Sequence, residues 1–341
     1  VAPKRQQGQK RQQRRGSASP ATSAAEAIPL ASIQEAAAGL AGVAARTELL
    51  SVPELSLPGA PVYLKLESQQ PTGAFKTRGA WTAVRRLDPA RRARGVITYS
   101  SGNHGQAVAF AAQRLGIRAV IVMPETAPRL KVEGVRRWGG TVELAGRTSE
   151  DRYRRAVELS AAEGLTIIPP FDDADVIAGQ ATVAVEILEQ LPEVALIAAP
   201  VGGGGLAAGI AAALAALKPV TRLATVEPEG SAALAAAIEA GHLIRLERTA
   251  SVADGLLPLS VGTRNFAILR SKAEPVLVSD AAIIEATRWL NREKGLTVEP
   301  SGAATTAAVR SGALHPSGPT VLVVSGGNAD PSVLAELGAT P

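Results

Sequence analysis

Four consecutive glycines, Gly202, Gly203, Gly204 and Gly205, stand between the apolar run 195–199 and the alanine-rich helical stretch 206–217. Without a Cβ the backbone can come close to an anion, and the free N–H groups and dipole of a helix start then hold a phosphate. A flexible turn is the plain alternative, but it needs no run of four at a strand–helix junction. A second pattern overlaps the first. Gly203, Gly205 and Ala208 have the G-x-G-x-x-A spacing of a dinucleotide site, with Glu227 ending a strand ~20 residues on, where a ribose would need it. Two more runs end in polar loops: 95–100 leads into Ser100-Ser101-Gly102-Asn103-His104, and 320–324 into Ser325-Gly326-Gly327-Asn328. A nicotinamide enzyme accounts for neither. Lys76 follows Phe75 and a Thr72-Gly73 turn, a setting that can desolvate its amine and lower its pKa toward Schiff-base chemistry. Residue chemistry alone does not single it out from the other lysines. As a metal ligand His104 has no histidine near it, since His242 and His315 fall in remote loops.

These loops need strands to hold them. β-rich runs are expected at 62–66, 95–100, 119–123, 141–144, 166–168, 195–199, 222–226, 275–278 and 320–324, with helical periodicity between most of them, as at 106–115, 175–191 and 280–294. Strand–helix alternation means βαβ units and parallel sheets covered by helices. The strands are too many for one compact sheet, and 341 residues are long for one core, so two α/β domains are expected. In open α/β folds ligands bind where strands end and helices begin, so the three loops can converge on one cleft.

Composition narrows the class. The chain is 46% hydrophobic and 20% charged, as in globular proteins, and no apolar run reaches the ~18 residues of a membrane span. With no cysteine there are no disulfides, thiolate metal sites or cysteine nucleophiles, which fits a reducing, cytoplasmic setting. The net charge of +5 comes from the tail: Lys4, Arg5, Lys10, Arg11, Arg14 and Arg15 are six cations, and without them the charge is −1. Residues 1–25 are therefore expected to be a disordered basic tail: a solvated extension, a tether to nucleic acid or an acidic surface, or a targeting segment. The neutral body gives no reason to expect a nucleic-acid partner or a membrane partner.

The segment 65–80, with T-G-A-F-K-T-R-G at its centre, resembles the lysine motif of the pyridoxal-phosphate (PLP) enzymes of fold type II, the tryptophan synthase β-like family, and within it the threonine/serine dehydratases and serine racemases. Ser100 to His104 resembles the family's substrate loop, Gly202 to Gly205 its phosphate loop, and Ser325 to Asn328 its pyridine-nitrogen loop. Asp175 to Gln180, Val252 to Gly255 and Glu299 to Ala303 also match in order, so the likeness runs from about Ile28 to the C-terminus.

The resemblance implies two parallel-sheet α/β domains with PLP in the cleft between them. Residues 26–95 and 173–341 would form the large domain and 96–172 a small mobile one. It also implies a homodimer or homotetramer and a small amino-acid substrate. Residue by residue, Lys76 would be the Schiff-base lysine and move the α-proton, and Phe75 would pack beside the ring. Asn103 would bind the phenolic oxygen. Gly202, Gly203, Gly204 and Gly205, with the Leu206 N–H, would hold the phosphate, and Ser325 would face the pyridine nitrogen. Ser100, Ser101, Asn103 and His104 would line the substrate carboxylate site. The reaction implied is loss of water from L-threonine or L-serine to give a 2-oxo acid and ammonia. The alternative is racemisation or dehydration of serine or 3-hydroxyaspartate: Ser101 could return a proton on the opposite ring face, and Arg152 could bind a side-chain carboxylate.

Three departures stand out. Relatives that bind a divalent cation use a glutamate and an aspartate six residues later; Glu227 fits the first, but Ala233 occupies the second. Leu257-Pro258-Leu259 replaces a stretch in which a serine is expected. The sequence ends about a dozen residues after Asn328, which leaves no room for a C-terminal regulatory domain.

Overall fold

A computed structural model describes residues 27–100, 102–127 and 129–340. The tail expectation for 1–25 and the role assigned to Ser101 lie outside the described residues, apart from Ser101's described neighbours. Two sheets form the framework. The six-stranded sheet has the order β1-β2-β10-β7-β8-β9, from β1 (Leu49–Ser51), β2 (Val62–Lys65), β7 (Leu196–Pro200), β8 (Arg222–Pro228), β9 (Ala273–Val278) and β10 (Thr320–Val323). The four-stranded sheet has the order β5-β4-β3-β6, from β3 (Val96–Tyr99), β4 (Ala119–Met123), β5 (Thr141–Leu144) and β6 (Thr166–Ile167). All pairings are parallel except β1 with β2. The expected strands are all present. β1 was not expected: a three-residue edge strand is too short to produce a readable alternation. Gly95 belongs to the preceding helix end, with φ +100, so the strand starts at Val96.

Thirteen α-helices cover the sheets among the described residues. In the first half they are α1 (Leu30–Gly39), α2 (Lys76–Arg85), α3 (Pro89–Arg94), α4 (Asn103–Arg114), α5 (Arg129–Arg137) and α6 (Ser149–Glu163). The others are α7 (Ala174–Gln190), α8 (Gly205–Leu217), α9 (Ala233–Ala240), α10 (Thr263–Leu269), α11 (Asp280–Arg292), α12 (Pro300–Arg310) and α13 (Pro331–Glu336). β7 and β10 are buried along their whole length, the mark of central parallel strands covered on both faces. None of these helices is long and apolar enough to cross a membrane.

Helix α2 matters most, because Lys76 is its first residue. It crosses α7 so closely that a Cβ on Gly179 would lie 2.5 Å from the Arg78 carbonyl oxygen and 2.6 Å from the Gly79 Cα. Backbone-to-backbone contact of this kind leaves α2 no room to rotate. A buried ionic cluster locks it further. Arg78, 1% exposed, donates to both oxygens of Glu67 at 2.7 Å and to Glu186 at 2.7 and 2.9 Å, while Lys65 donates to Glu186 at 2.7 Å. Two cations face two carboxylates, so the cluster is neutral and tied by charge-assisted hydrogen bonds.

Candidate active site

The chain crosses from the four-stranded to the six-stranded sheet once, through residues 168–173, and this segment floors the site. Lys76 donates its Nζ to the Pro170 carbonyl at 2.6 Å. His104, 2% exposed, has Nε2 3.1 Å from the Ile168 carbonyl. Phe171 fills the space beside the glycine loop: a Cβ on Gly203 would lie 2.2 Å from its ring, and one on Gly205 3.0 Å from its carbonyl oxygen. Asp172 accepts from the Thr263 and Arg264 N–H groups and so caps α10, and Asp173 caps α7. Nothing in the motif reading pointed to this segment. The Pro169-Pro170 pair, which cannot continue a ladder, was the available signal.

The glycine loop follows β7 and opens α8. Gly204 is the N-cap in the left-handed region, φ +90, and the Gly203 carbonyl is held from outside by Asn265 Nδ2 at 2.7 Å and the Gly262 N–H at 3.0 Å. The first N–H groups of α8 have no partner within the helix. The loop is thus a rigid backbone cradle, closed behind by Phe171 and Asn265.

Burial drives the electrostatics. It lowers Lys76 to about 8, with no other cause of note, and Phe75 lies under the amine, 5.1 Å from Nζ to ring centroid. His104 is lowered to about 3, first by burial and then by the Lys76 charge. Its ring is therefore neutral. Because a carbonyl can only accept, the proton sits on Nε2, and Nδ1 is a buried lone pair without a partner among the described residues.

The Ser325 loop is paired to the lysine loop. The Phe75 N–H donates to the Ser325 carbonyl at 3.0 Å, and the Gly327 N–H to the Gly73 carbonyl at 2.9 Å. Asn328 Nδ2 donates to the Thr72 carbonyl at 2.7 Å and to Asn103 Oδ1 at 2.8 Å, and Asn103 Nδ2 donates to Glu299 Oε1 at 2.7 Å. Lys76, Asn103, the glycine loop and Ser325 thus come together, joined by direct contacts or by the 168–173 floor. Ser100 ends β3 at the same edge, with its Oγ accepting from the Gly102 N–H at 3.3 Å.

The family described as pyridoxal-phosphate dependent enzyme matches residues 40–326. The chain belongs to that family. Among relatives, an L-threo-3-hydroxyaspartate ammonia-lyase from a Pseudomonas species is 39% identical over 89% of this chain and 96% of its own length. An L-threonine ammonia-lyase from Geobacter sulfurreducens is 40% identical over 89% of this chain and 76% of its own. The structure of maize serine racemase superposes with a TM-score of 0.87 at 36% identity, covering 91% of this chain and 96% of that one.

As a member of the family the enzyme uses pyridoxal phosphate, and the site fits it. A side-chain-free cradle suits a phosphate, a desolvated amine suits an aldehyde, and the free N–H of Asn103 suits an anionic ring oxygen. Two residues lie apart from this cluster. Arg152, in the first turn of α6, is half-buried; burial lowers its pKa, it donates to Ser149 Oγ at 2.8 Å, and its Nε has no partner among the described residues. Glu227 is fully buried and caps α9, accepting from the Leu234 and Ala235 N–H groups at 2.8 Å each. Both its oxygens are engaged with a helix start, so it is not presented to a ribose. No group of three or more His, Asp or Glu placed to hold a metal ion occurs among the described residues.

Proposed function

We propose that this chain is a PLP-dependent ammonia-lyase that removes water from L-threonine or L-serine, releasing ammonia and a 2-oxo acid. Lys76 carries the reading. Its amine is desolvated, anchored on the Pro170 carbonyl and lowered to about 8. Roughly a tenth of such an amine is uncharged at pH 7, against about three in ten thousand at the ordinary value, which suits a base that takes a proton from carbon. When bound, the cofactor supplies the electron sink that lets a proton leave the α-carbon and hydroxide leave the β-carbon.

Lys76 would hold the aldehyde, Phe75 flank the ring, Asn103 reach the phenolic oxygen, and Gly202 to Gly205 with the Leu206 N–H cradle the phosphate. Ser325 would face the ring nitrogen. An uncharged hydroxyl there does not keep a full proton on the ring, and a moderate sink favours prompt loss of a β-leaving group. Ser100, Ser101 and Asn103 would meet the substrate carboxylate. His104 would line that wall as an acceptor, since its available nitrogen carries no proton. Residues 96–172 would act as the small mobile domain.

A second reading rests on Arg152. A half-buried guanidinium without a carboxylate partner at the carboxyl edge of the small sheet suits an acidic side chain, as in 3-hydroxyaspartate. The test is 2-oxo acid release from a panel of β-hydroxy amino acids, with L-serine also incubated in deuterated water and resolved by chiral chromatography. Pyruvate from serine or 2-oxobutyrate from threonine without deuterated D-serine is expected. D-serine accumulating as fast as pyruvate would overturn the lyase reading. Turnover confined to hydroxyaspartate, lost in Arg152→Ala, would establish the second.

A further inference from the structure

The orientation of the Asn103 carboxamide is dictated by groups remote from the reacting atoms. At one end stands the Thr72 carbonyl, which can only accept, so Asn328 must turn Nδ2 toward it at 2.7 Å. The same Nδ2 lies 2.8 Å from Asn103, so the atom facing it is Oδ1, an acceptor. Asn103 Nδ2 is thereby turned to Glu299, whose Oε1 accepts at 2.7 Å. Asn328 Nδ2 thus donates both ways, to the Thr72 carbonyl and to Asn103, and Asn103 in turn donates to the carboxylate. Among the described residues one Asn103 N–H is used, and one remains.

Glu299 is the unusual member. It is the N-cap residue of α12, yet its side chain makes no capping hydrogen bond and turns to Asn103 instead. Its space is reserved: a Cβ on Gly326 would lie 2.3 Å from Oε1 and 3.0 Å from Asn103 Nδ2. Likewise a Cβ on Gly73 would lie 2.3 Å from Asn328 Oδ1. The carboxyl is 7% exposed, and burial raises it to about 7, with Asp254 pushing the same way and the Asn103 bond and Lys131 opposing. Lys131 and Asp254 are ion-paired to each other, so among the described residues Glu299 has no ion-pair partner of its own. A buried carboxyl without a counter-ion is costly, and here it is met by the Asn103 side chain and by the Asn328 backbone N–H.

We propose that Glu299 is a positioning residue which, with Asn328, fixes the Asn103 carboxamide so that its remaining N–H is presented to the cofactor's anionic ring oxygen. The inference rests on the cofactor placement proposed above and adds the device that orients it. Without Glu299 the amide can turn over and offer an oxygen in place of the donor, which two anionic or lone-pair-bearing atoms would oppose.

The experiment compares Glu299→Gln, which keeps the acceptor and drops the charge, with Glu299→Met, which keeps the length and drops the acceptor. PLP affinity is measured by equilibrium dialysis, the bound cofactor by its absorption spectrum, and folding by thermal denaturation. E299M is expected to lose about tenfold in PLP affinity, the scale of one hydrogen bond to a charged group, and to move visible absorbance into the near-ultraviolet while still unfolding cooperatively. E299Q is expected to restore the wild-type spectrum and most of the affinity. E299M matching wild type in both readouts, or E299Q failing as E299M does, overturns the proposal and leaves the parent reading standing. Wild-type protein that takes up no PLP overturns both.

Discussion

At the scale of single residues, desolvation of Lys76 has a cost that the fold bears. Its amine titrates near 8 when folded and near 10.4 when unfolded, so between those values the unfolded chain binds more protons and stability rises with pH. Below pH 8 the buried charge destabilises the cofactor-free protein by an amount on the order of 3 kcal/mol. Lys76→Met is therefore expected to raise the melting temperature of cofactor-free protein at pH 7, with the gain shrinking as pH climbs from 8 toward 10. The same variant should lose all visible cofactor absorbance and all turnover. A Lys76→Met protein active at wild-type rate would remove the basis of the proposed function. Glu227 gives a second expectation. Since both its oxygens cap α9 and Ala233 offers no partner acid, EDTA should leave most activity in place. A strong loss reversed by magnesium would mean that other ligands complete a cation site.

At the scale of elements, two features hold the reactive groups in place. Gly203 has the Phe171 ring behind it, so Gly203→Val must push that ring or the loop away. About tenfold or greater loss of PLP affinity by equilibrium dialysis is expected, with little change in the far-ultraviolet circular dichroism. Arg78 anchors α2 from below. Arg78→Ala strands Glu67 in the interior and leaves Glu186 with Lys65 alone, and removal of one member of such a buried pair costs about 3–5 kcal/mol. A melting temperature lowered by several degrees, with cofactor affinity reduced in step, is the expected result. Much of this level was legible in the sequence. Strands such as 141–144 read directly because apolar and β-branched residues cluster between turn residues, and the four-glycine run marked its own junction. The partners were not legible. Glu67, Asn328 and Glu299 act across 11, 225 and 196 residues of chain, and no local period encodes such a distance. Pro300 at a helix start marks Glu299 as a cap position, but not that its carboxylate turns away from the helix.

At the scale of the whole molecule, the two sheets are tied across the site by an ion pair between Lys131 on α5 and Asp254 in a short turn beside the six-stranded sheet. α5 packs on α4 and β5, so this contact links the four-stranded unit to the opposite wall. Asp254 is largely exposed, which makes the pair weak and sensitive to salt. Lys131→Ala is expected to raise KM for the amino acid a few-fold with kcat and melting temperature nearly unchanged, and added salt should produce the same shift in wild type. A fall in kcat at constant KM would count against a role for the pair in substrate binding. The 168–173 crossing has a different consequence. The backbone of this crossing is also the surface on which Lys76 and His104 rest, and it carries Phe171 against the glycine loop. If residues 96–172 move as the small domain proposed above, any rocking must strain or relieve these contacts, and the release of product and the opening of the molecule become a single mechanical event.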